Sequence, residues 1–295
     1  MRAVDVDRYR KRYEAELAKA VAPKRRRATG GVDARASAAV RADALRAAPL
    51  DEENLVDRVA ELLATLLDRK EPVAVRMAAL QALGALDFLG ARFDPFRAEY
   101  KEALRQLATD PRRSLRERAL ERLAIDKDSY AQKLLVRGLE QPEEALVSEA
   151  RAIQFLSYDD HAAVAPLARK VYQRTTGAAR EEAVRVLATD PQSEKLLARL
   201  MKDKTEKSSI RRISASGLQN LNPDAFERAA RKIVADEDDY NEIRATTLAA
   251  LAHGREIRDD PVDLRFVDTV QKVAKKTRST ALRSSSKRYL NATET

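Results

Sequence analysis

Apolar positions in this chain recur at the three-and-four spacing of a helix face, and small residues punctuate them at fixed places. Residues 71–86 give the clearest copy. Pro72 stands where a first helical turn accepts it, and Val75, Arg76, Ala79, Leu80 and Leu83 fall on one face. The same short pattern returns along the chain: an arginine, a small residue three later, and a leucine four beyond that. Arg41 is followed by Ala44, Arg76 by Ala79 and Leu83, and Arg116 by Ala119 and Leu123. Arg180 is followed by Ala183 and Leu187, Arg211 by Ser214 and Leu218, and Arg244 by Thr247 and Leu251. In one copy Glu149 takes the arginine's place, ahead of Ala152 and Leu156. These anchors lie 31 to 40 residues apart. A helical period of that size predicts stacked hairpins, each burying its apolar faces against its neighbours.

A second apolar-periodic segment lies between successive anchors, at 54–67, 95–107, 130–139, 163–172, 194–201, 225–234 and 264–273. Each unit is therefore expected to be two helices. The small residue after the anchor lets them approach closely. Taken together, Asp110-Pro111, Arg116, Ala119 and Leu123 resemble the HEAT repeat, and the resemblance extends over roughly residues 34–276. It implies an all-α, right-handed α-solenoid of about seven to eight HEAT-like helical hairpins. It also implies a ladder of aspartate–arginine pairs between neighbouring repeats. Asp238 keeps the six-residue spacing ahead of Arg244, whereas Lys70 and Thr205 occupy that place ahead of Arg76 and Arg211, so the ladder reads as incomplete. The expected organisation is a capping helix and basic linker over 1–33, the array over 34–276, and a basic tail or cap over 277–295.

Composition narrows the chemistry. The chain has no Trp and 5% aromatic residues, so its core must be leucine, alanine and valine. With no Cys, disulfides, thiolate metal sites and cysteine nucleophiles are excluded. There is no apolar run of membrane-spanning length, and a cytoplasmic protein is expected. HEAT-type deoxyhypusine hydroxylases hold iron through several His-Glu pairs. Here the two histidines, His161 and His253, are followed by Ala162 and Gly254. HEAT-like alkylpurine DNA glycosylases use tryptophans that this chain lacks. The sequence contains no Gly-rich phosphate loop, and the expectation is of no catalytic residue, no metal and no cofactor.

Charge then changes the picture. The net charge is +9 and it is concentrated at the ends. Residues 1–50 hold 13 Lys/Arg against 6 Asp/Glu, including Lys24, Arg25, Arg26 and Arg27 in the linker. Residues 271–288 hold Lys272, Lys275, Lys276, Arg278, Arg283, Lys287 and Arg288 with no acid among them. This segment reads either as an end cap or as a flexible arm. A cation also recurs on the non-anchor helices, at Arg105, Arg137, Lys170, Arg199, Lys232 and Lys272, a row that could follow a phosphate backbone or offset helix dipoles. Phe88, Phe93 and Phe96 cluster in the longest connection, either as a binding surface or as filling. Residues 236–239, DEDD, are read as favourable charge at a helix start, and Tyr158 to His161 as a capping turn rather than metal ligands. The leading functional expectation is a non-catalytic HEAT-repeat scaffold that binds another protein. The alternative is a nucleic-acid binder using the basic ends and the cation row.

Overall fold

A computed structural model describes residues 37–47, 54–159, 164–257 and 262–294. The expected capping helix, the cluster Lys24 to Arg27, and Asp160 and His161 lie outside the described residues. Among the described residues there are fifteen α-helices and no strand, an all-helical repeat fold. The chain divides into two compact units, Met1–Val147 and Ser148–Thr295. The first contains α1 (Ala38–Ala47), α2 (Leu55–Leu67), α3 (Val73–Asp87), α4 (Arg97–Leu107), α5 (Arg113–Ile125) and α6 (Ser129–Glu140). The second contains α7 (Glu149–Leu156), α8 (Val164–Arg174), α9 (Gly177–Leu187), α10 (Glu194–Lys202), α11 (Ser208–Leu221), α12 (Pro223–Ala235), α13 (Asn241–Ile257), α14 (Leu264–Lys276) and α15 (Thr280–Glu294).

Odd-numbered helices carry the anchors, and even-numbered helices are their partners. Within each unit anchor helices pack on anchor helices: α1 on α3 and α3 on α5, then α7 on α9, α9 on α11, α11 on α13 and α13 on α15. The core between the two rows is mainly aliphatic, with Leu83, Leu123, Leu187 and Leu218 fully buried, but Phe93, Phe155, Phe226 and Tyr289 are buried as well, so it is not leucine, alanine and valine alone. The small residues at anchor+3 are what allow this closeness: Ala79, Ala119, Ala183 and Ser214 are buried without exposure. Approach is tightest at Gly217. A Cβ there would come within 2.6 Å of the Ala188 Cβ and 2.8 Å of its backbone, so only glycine lets α11 settle against the end of α9.

The anchor arginine has two tasks. Arg76 donates from Nε to the carbonyl of Leu66 near the end of α2, at 2.8 Å, and from Nη2 to Asp110, at 2.6 Å. Arg211 donates to the Met201 carbonyl at 3.0 Å and forks onto both oxygens of Asp239, at 2.8 and 2.6 Å. Arg180 reaches the Tyr172 carbonyl at 3.0 Å and Glu206 at 2.7 Å. Arg41 pairs with Glu71 at 2.6 Å. One guanidinium thus satisfies an orphan carbonyl at the end of the preceding helix and holds the carboxylate that opens the next anchor helix.

This corrects two expectations. The ladder is continued where it had been read as interrupted, because Glu71, Glu206 and Asp239 stand five residues ahead of the next arginine rather than six. In residues 236–239 the rung is Asp239, which is buried, and not Asp238. Its neighbour Asp236 pairs instead with Lys204, at 2.6 Å. At the departing copy the charges are exchanged: Glu149 accepts from Arg174 Nε at 3.0 Å, and Arg174 lies six residues ahead of Arg180. Arg116 makes no rung with Glu144, which stands five residues ahead of Glu149 but pairs with Arg137, and donates instead to the Leu146 carbonyl at 2.6 Å.

Candidate nucleic-acid interface

Sequence reasoning left residues 277–295 as a tail or cap. The structure forms a helix, α15, which packs on α13 and α14. It is an eighth anchor helix, with Arg283, Ser286 and Leu290 in the places of arginine, small residue and leucine. Arg283 even repeats the ladder's first task, donating to the Thr277 carbonyl at 2.6 Å. Leu282, Ser286 and Tyr289 are buried. The Ser286 hydroxyl, which would be costly to bury alone, donates to the Leu282 carbonyl at 2.8 Å. Tyr289 stands edge-on to Phe266 of α14, with ring centroids 5.4 Å apart, and the Arg231 guanidinium lies over that phenylalanine ring. The hairpin α14–α15 is therefore fixed from beneath by an aromatic core.

Its outer side carries the charge. Arg278, Arg283, Lys287 and Arg288 are all exposed, as are Lys272, Lys275 and Lys276 on α14. Several have partners: Lys272 with Asp268 at 2.7 Å, Lys276 with Glu237 at 3.1 Å, and Arg288 with Glu256 at 2.6 Å. The Arg288 hydrogen bond, aided by His253, pulls the Glu256 carboxyl down to about 2, so this pair stays charged well into acid. Lys275, Arg278 and Lys287 make no ion pair among the described residues. Among the described residues these three cations have no ion-pair partner, and with the four others they fall in a stretch, 271 to 288, that has no acid of its own.

The recurring cations of the partner helices fare differently. Arg105 binds Asp128, at 2.7 Å, while Asp128 caps α6 by accepting the Tyr130 and Ala131 N–H groups. Burial opposes the charge on Asp128, but Arg105 and those N–H groups outweigh it and hold its pKa below the ordinary carboxylate value. Arg169–Asp190 and Arg231–Asp263 repeat the arrangement, so the same kind of rung ties α4 to the start of α6, α8 to that of α10 and α12 to that of α14. Arg105 is thus a structural rung. Arg137 pairs with Glu144 and Arg199 approaches the Tyr172 hydroxyl at 3.5 Å. Lys170 and Lys232, each one residue after a ladder arginine, are exposed and make no ion pair among the described residues.

The aromatic cluster divides. Phe93 and Phe96 are buried and meet at 5.8 Å, with Tyr100 edge-on to Phe93, its hydroxyl pushed up to about 12 by burial. Phe88 is 88% exposed. Two shallow grooves open between anchor helices, one of about 380 Å³ between α7 and α9 and one of about 160 Å³ between α11 and α13. In the first, Arg185 closes on Glu181 and Glu182 of its own helix. Among the described residues no group of three or more His, Asp or Glu side chains is placed to hold a metal ion. No described helix is long and apolar enough to cross a membrane.

No protein-family model matches the chain, and no curated protein matches it in sequence. Among solved structures it is similar to human deoxyhypusine hydroxylase in complex with glycerol, at 15% identity and a TM-score of 0.35, over 81% of this chain and 96% of that one. That neighbour is an enzyme, contrary to the expectation of a non-catalytic protein-binding scaffold, and that expectation is not taken further. The likeness concerns the fold, and no catalytic group of the hydroxylase is assigned to this chain.

Proposed function

We propose that this protein binds nucleic acid, with the outer side of α14–α15 as the contact surface. The observation that carries the reading is the exposure of Lys275, Arg278 and Lys287, which make no ion pair among the described residues, on a hairpin with no acid from residue 271 to 288. Phosphates are the natural counter-charge for such a surface, because contacts with them release condensed cations. Lys272 and Lys276 extend it. Their present partners are exposed ion pairs, worth about 0–1 kcal/mol each, so a phosphate can take a carboxylate's place at little cost.

Fluorescence anisotropy of a labelled duplex at two salt concentrations tests the reading. Three phosphate contacts weaken binding by about 40-fold for a fourfold rise in salt, from a slope of roughly −0.9 per contact. The triple variant Lys275→Ala, Arg278→Ala and Lys287→Ala is expected to lose most of the affinity and most of the slope. Absence of binding at low salt, or an unchanged triple variant, rejects the proposal.

A further inference from the structure

We infer that the hairpin α14–α15 reads the phosphate backbone alone, without discriminating among bases. The inference rests on the nucleic-acid reading and specifies the ligand chemistry at the same surface. Two kinds of group report base identity: aromatic rings that stack on bases, and forked side chains that bond to base edges. The hairpin's two rings, Phe266 and Tyr289, are 6% and 2% exposed and face each other beneath the charged side. They are unable to act as a stacking platform.

The forked groups on α15 are also committed. Arg283 donates to the Thr277 carbonyl, which holds its guanidinium back against the α14–α15 connection. Arg288 forks onto both carboxylate oxygens of Glu256, at 2.8 and 2.6 Å, and so uses the geometry that a guanine edge would require. The helical cations left without partners, Lys275 and Lys287, are flexible point charges suited to phosphate rather than to a base edge. Arg278 sits in the connection itself, between the end of α14 and the start of α15. Arg278, whose guanidinium fork matches guanine, and the exposed amides Gln271 and Asn291, whose forks match adenine, are the groups able to contradict this assignment.

The test uses the full chain with equal-length labelled probes: a GC-rich duplex, an AT-rich duplex, a mixed-sequence single strand and its abasic counterpart. A backbone reader binds the two duplexes within about threefold of each other, and the two single strands likewise. A base reader loses about tenfold or more with each missing base contact. A tenfold preference within either pair, abolished by the triple lysine–arginine variant, overturns the backbone-only inference and leaves the nucleic-acid reading standing. Failure of all four probes to bind removes both.

Discussion

Arginine does opposite work in the anchor ladder and on the C-terminal hairpin. Arg211 is 1% exposed, and all three guanidinium nitrogens meet acceptors, the Met201 carbonyl and the two Asp239 oxygens. Arg278 lies on the surface and makes no ion pair among the described residues. The difference separates two uses of a basic residue. A buried guanidinium with a matched carboxylate specifies how one repeat meets the next, whereas an exposed one without a carboxylate is available to a ligand. A strongly basic composition therefore says little by itself about nucleic acid, because many of the arginines are spent inside the fold.

The comparison is broken most severely at its buried end. Arg211→Ala leaves the Asp239 charge buried and uncompensated, with an expected loss of about 3–5 kcal/mol in urea unfolding. Replacing both partners, Arg211→Met with Asp239→Leu, is expected to cost much less than the single change. A single-variant loss below about 1 kcal/mol would show that the ladder does not hold the repeats together. Next in size is Gly217→Ala, where the added methyl has no room beside Ala188. Overpacking there is expected to cost about 1–3 kcal/mol in the same assay.

Acid sharpens the comparison more gently. Burial works against the charge on Asp110, but the Arg76 hydrogen bond, the Arg112 N–H and the attraction of Arg76 prevail and lower its pKa below 3.8. A carboxylate depressed in the folded state adds stability that is complete above its unfolded value and lost as pH falls through the folded one. Stability should therefore decline more steeply below about pH 3.8 in the native chain than in Asp110→Asn, by acid titration of circular dichroism. The smallest effect belongs to the exposed end. Lys275→Ala and Lys287→Ala should each leave unfolding free energy within about 0.5 kcal/mol of the native value while reducing binding to the duplex.

Helices were the most legible part of the sequence. Each of the seven segments expected between anchors overlaps a partner helix, since a long apolar stripe at 3.6-residue spacing has few other solutions. The ladder was harder to read. A six-residue template finds Asp110 and misses Glu71 and Glu206, because the turn before an anchor helix can present either of two adjacent positions to the arginine behind it. Helix α15 was hidden by its serines, which weaken the helical signal. Yet Ser286 satisfies its own hydroxyl within the helix and then serves as the required small residue. At the candidate site the cations were legible but their pairing was not. Arg288 meets Glu256 across 32 residues and Lys276 meets Glu237 across 39, distances at which local pattern carries no information.

The rungs also govern how such a chain can change its length. Arginine and acid partners are separated by 30, 34, 26 and 28 residues in four rungs, although the acid always stands five or six residues ahead of the next arginine. Only that short interval is held to a narrow length. Residues can be gained or lost in a partner helix or in the connection that follows it, as the long stretch between α3 and α4 illustrates, and the next repeat still docks in step. An insertion between acid and arginine has no such freedom. It would separate the two ends of the clasp and leave a buried charge on either side.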